Sequence, residues 1–177
     1  MIRLTLLRHA KSSWDDAGLD DFDRPLNPRG RRDAPEMGRR LHASEQVPDL
    51  LITSPAMRAL KTARMAACEM GFPEQRIITE PSLYHASASG LFSILASLET
   101  RARHVMLVGH NPGLTDFAVH LSDVRIDNLP TASLFCCDLE LSDLSEIAPG
   151  TGHFVYYDFP KNTRGSFLTA ADFQTGR

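Results

Sequence analysis

The sequence predicts an α/β fold of three layers, with a mostly parallel central sheet and helices on both faces. Two observations predict it. Short apolar runs alternate along the chain with segments of helical periodicity, the order that builds strand-helix-strand units. The first run is also nearly continuous rather than alternating apolar with polar, as a strand buried on both faces must be. At 177 residues, without repeats or low-complexity stretches, the chain fits one domain over 1–177.

Residues 2–7 read as the first strand. A polar stretch over 11–24, rich in Asp and Gly, reads as a loop. A helix lies within 28–44, with Ala34, Met37 and Leu41 on one face. Pro35 leaves two versions of it: a start near Asp33 with Pro35 in the first turn, or a bend. Residues 49–53 form the second strand. Ser54-Pro55 then reads as a helix start, Ser as cap and Pro at the first helical position. That helix carries Ala56, Ala59, Leu60, Ala63, Ala67 and Met70 and stops at Gly71. A short strand over 76–79 and a short helix over 90–98 follow. Residues 104–108 are another apolar strand, and 112–121 another helix opened by a Pro. Two late strands, 133–139 and 153–159, flank a polar turn around Pro149-Gly150. Beyond Lys161 the chain to Arg177 is expected to be loosely ordered.

The charge pattern excludes some functions. Net charge is −3 and the cations are scattered, so no basic stripe points to nucleic acid. The arginines at 29, 31, 32, 39 and 40 read as a solvated helix face. The apolar N-terminus is cut by Arg8, far short of a membrane span, and lacks the order of a signal peptide. Three cysteines, an odd number, show no paired CxxC motifs. Adjacent Cys136 and Cys137 would point to opposite faces of a strand, so reduced thiols and a cytoplasmic location are expected. The seven histidines show no zinc spacing, so no metal and no cofactor is expected. Oligomeric state is left open.

Three sites share one design, in which an apolar strand ends and polar residues follow at once. They are Leu6-Leu7-Arg8-His9, Ile52-Thr53-Ser54-Pro55-Ala56-Met57-Arg58 and Leu107-Val108-Gly109-His110-Asn111-Pro112. Ligands of open α/β sheets gather outside the carboxyl ends of strands, so these residues can converge on one crevice. Two of the segments run into helix N-termini, which favour an anion. Two arginines and two histidines without an acidic member suit a phosphate. A basic rim of no catalytic consequence is the plain alternative.

Leu-Leu-Arg-His-Ala-Lys-Ser-Ser-Trp resembles the opening motif of the histidine phosphatase superfamily, the group that includes cofactor-dependent phosphoglycerate mutases. Ser-Pro-Ala-Met-Arg-Ala-Leu-Lys-Thr-Ala and Val-Gly-His-Asn-Pro-Gly look like its second and third signatures, in the right order. The segment Asp23-Arg24-Pro25-Leu26-Asn27-Pro28-Arg29-Gly30 is closer to the SixA-type phosphohistidine phosphatases. The resemblance implies a phosphoglycerate mutase-like fold, His9 as the phosphoryl acceptor, and Arg8, Arg58 and His110 around the transferred group. It also puts Ser12 and Asp15 at the pocket edge, where turn roles are equally open to them, and gives Arg24 a reach towards phosphate. Trp14 reads either as part of that edge or as core.

Two departures stand out. Ala10 replaces the usual Gly after the Arg-His pair, and Ala tolerates fewer backbone conformations. Mutase and phosphomonoesterase members also carry an acid after the third strand, where this chain reads Glu80-Pro81-Ser82-Leu83-Tyr84-His85-Ala86-Ser87. Glu80 sits before the expected place and His85 nearer to it, so the acid is unassigned. An alkoxide leaving group needs a positioned acid, whereas phosphohistidine can leave as neutral imidazole. The expected function is therefore dephosphorylation of a phosphorylated substrate, a histidine-phosphorylated protein above all. The acidic loop 15–23 would then govern which phosphohistidine enters. A small-molecule phosphomonoesterase using His85 or Glu80, and a non-catalytic phosphate-binding module, are the competing readings.

Overall fold

A computed structural model describes residues 1–174. Six strands build one sheet: β1 (Ile2–Arg8), β2 (Leu50–Thr53), β3 (Ile77–Thr79), β4 (His104–Gly109), β5 (Leu134–Leu139) and β6 (Gly152–Asp158). Their spatial order is β3-β2-β4-β1-β5-β6. The first four in that row run parallel, while β5 pairs antiparallel with β1 and β6 antiparallel with β5. The helices are α1 (Pro28–Ala43), α2 (Met57–Met70), α3 (Ala88–Ala96), α4 (Gly113–Leu121) and α5 (Ala170–Gln174).

The two-residue period of a strand sorts its side chains into two cores. Leu4, Leu6, Ile52, Val105 and Leu107 face one side and pack with Leu91 and Leu95 of α3 and Phe117 of α4. Leu7, Leu51, Met106 and Val108 face the other and pack with Met37 and Leu41 of α1 and the alanines of α2. This is the three-layer arrangement expected from the sequence. Cys136 and Cys137 fall into opposite cores, and both are buried free thiols; Cys68 is a free thiol at the surface. No helix among the described residues is long and apolar enough to cross a membrane.

Several local readings need correction. Helix α1 begins at Pro28 because Asn27 caps it, accepting from the Gly30 amide at 2.8 Å, so Pro35 lies inside the helix and the start near Asp33 is excluded. Helix α2 begins two residues past Pro55, and Ser54 is not its cap. Leu60 is off the buried face and Ala66 is on it. Helix α3 starts at Ala88, where Ser87 accepts from the Gly90 amide. The tail is more structured than expected. Asn162 is buried and donates to Asp158 Oδ1 at 2.6 Å, and Leu168 exchanges two backbone bonds of 2.8 Å with Tyr157. The last stretch of that expectation, 175–177, lies outside the described residues.

Candidate active site

The sheet order puts β2, β4 and β1 side by side with their carboxyl ends on one edge. The chain is tied there just past each strand. The His9 amide donates to the Gly109 carbonyl at 3.0 Å, and the Ser54 amide to the Val108 carbonyl at 2.9 Å. Arg8, His9, Arg58 and His110 thus line one cavity of about 310 Å³. The three motifs, read separately in the sequence, are one site in space.

His9 is 8% exposed. Its Nδ1 sits 2.8 Å from the carbonyl of Ala10, which accepts and so fixes the proton there. Nε2 has no partner among the described residues. Burial, reinforced by Arg58, Arg8 and Arg24, lowers the His9 pKa to about 4, against one raising contribution from the Ala10 bond. A neutral ring with a free Nε2 is a nucleophile. The ring of His110 lies beside it, centroids 5.1 Å apart. His110 Nε2 is 2.7 Å from Ser54 Oγ, and its Nδ1 is buried without a partner. Ser54 Oγ already accepts from the Ala56 amide at 3.3 Å. If its hydroxyl proton goes to His110 Nε2, Nδ1 carries the ring proton and becomes a donor awaiting an acceptor. Burial, with the neighbouring His9, Arg58 and His85, pushes His110 down to about 3.

Two guanidinium groups complete the wall. Arg8 donates through Nη1 to the Leu129 carbonyl at 2.6 Å, while its Nε is buried and unpartnered; burial lowers its pKa. Arg58 is 5% exposed and pairs with Asp21 at 2.9 Å. Thr62 couples the two motifs: it accepts from the Ala10 amide at 2.9 Å and donates to the Arg58 carbonyl at 2.6 Å. Ala10 itself is fully buried. Orphaned donors on Arg8 and His110, beside a free imidazole nitrogen, form a cradle for a tetrahedral oxyanion.

The other expected residues divide. Ser12 and Arg24 are buried, line the cavity and bond to one another. His85 lines the cavity with a left-handed backbone (φ 57°), its ring 3.9 Å from that of Tyr84. Asp15 is exposed and is not part of the lining. Trp14 is 73% exposed and lies over the Arg24 guanidinium at 3.3 Å, so it belongs to the rim rather than the core. Glu80 is occupied elsewhere, accepting from the amide and hydroxyl of Ser82 at 2.9 and 2.5 Å. Those bonds hold its carboxyl below the usual range, opposite to what an acid catalyst needs.

Sequence reasoning missed Ser54, Thr62, Tyr84 and Asp21. Ser54 heads a Ser-Pro dipeptide that reads as a helix cap and carries no other signal. Thr62 carries a signal only in hindsight, one helical turn past Arg58. Asp21 was one aspartate among many in the loop, and no local pattern separates it from Asp20 or Asp23.

Comparisons with known proteins bear on the family and the fold. The description "Histidine phosphatase superfamily (branch 1)" matches residues 4–90. An uncharacterized chloroplastic protein of Arabidopsis thaliana is 36% identical over 132 residues, which is 70% of this chain but 61% of the plant protein. The chain thus spans about three fifths of that relative's length. Among solved structures, one assigned as the phosphohistidine phosphatase SixA of Agrobacterium tumefaciens superposes with a TM-score of 0.74 at 26% identity. That match covers 89% of this chain and 97% of that one. A protein histidine phosphatase SixA complexed with tungstate has a TM-score of 0.75 at 20% identity, covering 90% and 97%.

Proposed function

Since the chain belongs to the histidine phosphatase superfamily, we propose that it is a phosphatase that passes the phosphoryl group through His9, with phosphohistidine in a protein as its preferred substrate. One observation carries the reading. The His9 ring donates its Nδ1–H to the Ala10 carbonyl and leaves Nε2 without a partner, in a cavity lined also by Arg8 and by His110, whose Nδ1 is unpartnered.

In the first step Nε2 attacks phosphorus and the bond to the leaving group breaks. Arg8 and Arg58 hold the equatorial oxygens, where the charge of a phosphoryl transition state resides, and His110 donates to the same oxygens. The proton stays on Nδ1, hydrogen-bonded to the Ala10 carbonyl, so phospho-His9 is cationic and reactive. Water then attacks phosphorus, the P–N bond breaks, and inorganic phosphate and neutral His9 are restored. The two guanidinium groups supply the charge that a metal supplies elsewhere, so the reaction is proposed to run without one.

The preference for a P–N bond follows from the acids at hand. Glu80 is turned to Ser82, and the carboxylate that does line the cavity, Asp21, titrates in the wrong direction to donate. Phosphohistidine protonated on its other ring nitrogen leaves as neutral imidazole and needs no donor. The test compares kcat/KM for a phosphohistidine peptide and a simple alkyl phosphate, with His9→Ala as blank and EDTA present. A phosphoramidate preference of about a hundredfold or more is expected, the size of a typical general-acid contribution. Comparable rates would defeat it. His85, which lines the cavity, favours the second reading, a small-molecule phosphomonoesterase. Under that reading His85→Ala slows the alkyl phosphate and spares the phosphoramidate.

A further inference from the structure

Asp21 lies outside the motifs of the three strand ends, yet its carboxylate is the most heavily engaged group at the cavity. Arg58 donates through Nη2 to Oδ2 at 2.9 Å and through Nη1 to the Asp21 backbone carbonyl at 2.5 Å. The Tyr84 hydroxyl donates to Oδ2 at 2.8 Å, Arg24 Nη1 to Oδ1 at 3.1 Å, and His85 Nε2 stands 3.7 Å from Oδ2. We infer that Asp21 is a displaceable internal counter-anion, which occupies Arg58 and Arg24 in the resting site and must release them before a phosphoryl group can be clamped.

Three features support this role. Both terminal nitrogens of Arg58 are engaged by Asp21, one by its carboxylate and one by its backbone carbonyl, so the fork that would grip a phosphoryl group is already occupied. The anchoring is also unequal. Arg58 is buried on a helix, tied through Thr62 to Ala10 just past β1, whereas the Asp21 side chain is 41% exposed on a 3₁₀ turn, Asp21–Asp23, that buries no residue. These polar bonds and an edge contact of Phe22 on Tyr84 tie the turn to the body, so the turn, not the arginine, is the part that yields. Finally, a phosphoryl group brings about −1.5 to −2 charges and three strong acceptor oxygens against one carboxylate, so it wins the exchange. Partial burial works to raise the Asp21 pKa, but the bonds from Tyr84 and Arg58 outweigh it, and the group stays an anion that returns when the site empties.

The consequence is weakened binding of inorganic phosphate. This rests on the phosphatase reading in treating that ion as product, whose departure the returning carboxylate speeds. The experiment titrates inorganic phosphate into the full chain by calorimetry, comparing wild type with Asp21→Asn and Asp21→Ser. Asp16→Asn, in the same loop and fully outside the cavity lining, controls for net charge. Both Asp21 variants are expected to bind phosphate about tenfold more tightly, and the control within about twofold of wild type. Phosphate should also raise the melting temperature of the Asp21 variants more than that of wild type. Unchanged or weaker phosphate binding in both would overturn the inference and make Asp21 a fixed strut for Arg58. Absence of hydrolysis above the His9→Ala blank would defeat the phosphatase reading alone, because the binding comparison does not depend on turnover.

Discussion

At the scale of single residues, the site works by withholding charge from two histidines. His9 and His110 lie against each other and among arginines, and burial is the largest cause of their low pKa values, about 4 and about 3 against an ordinary 6.5. Each is a base whose protonated form is disfavoured, so each stays neutral until the pH falls well below the usual imidazole range. A titration of the imidazole nitrogens by NMR should therefore find both rings neutral at about pH 5.5, where an ordinary histidine is mostly charged. Midpoints near 6.5 for His9 would remove the electrostatic basis of its nucleophilicity. The same residues show what a sequence conveys. Arg8, His9, Arg58 and His110 could be picked out because each follows an apolar strand, a one-dimensional mark of a three-dimensional edge. Asp21 could not, because its importance comes from Arg58 and Tyr84, which arrive from 37 and 63 residues away.

At the scale of elements, strands and helices were legible where periodicity and burial agree, as in β1, β4 and α1. Their junctions were not, because the site competes for the residues that would otherwise cap a helix. Ser54 heads a Ser-Pro pair with the composition of a helix start, yet its hydroxyl is engaged by His110 at 2.7 Å. The close approaches between elements were equally hidden, and they have consequences. A Cβ on Gly113 at the start of α4 would lie 1.9 Å from the Ala86 carbonyl, next to the segment bearing Tyr84 and His85. A Cβ on Gly38 of α1 would lie 2.4 Å from the Ala66 carbonyl of α2, away from the site. Both Gly→Ala changes should destabilise by about 1–3 kcal/mol through overpacking. Gly113→Ala should also lower kcat/KM in the folded fraction, while Gly38→Ala should leave it near wild type. Thermal melts with activity measured well below each midpoint would separate the two effects. Equal activity losses in the two variants would count against it.

At the scale of the whole molecule, three histidines, His9 and His110 buried and His104 half-buried, link stability to pH. His9 and His104 titrate at about 4 and His110 at about 3, each lowered first by burial. The unfolded chain, with ordinary imidazoles, binds more protons than the folded one across roughly pH 4 to 6.5, so stability rises with pH through that window. Each ring contributes at most about 1.4 kcal/mol per pH unit there. Calorimetric melting temperatures should be level above about pH 7 and fall steadily between 6.5 and 4. A curve that stays level down to pH 4.5 would sink this account.

The strand order has a further meaning for a chain still being made. β1, which carries Arg8 and leads into His9, precedes the other strands and lies mid-sheet between β4 and β5, whose residues His104–Gly109 and Leu134–Leu139 follow much later. Until they are synthesised, β1 has no neighbours for its backbone amides, and its apolar run stays open to chaperones. No nascent fragment short of Leu139 can complete the central pairing, so His9 is synthesised well before the strands that fix its place.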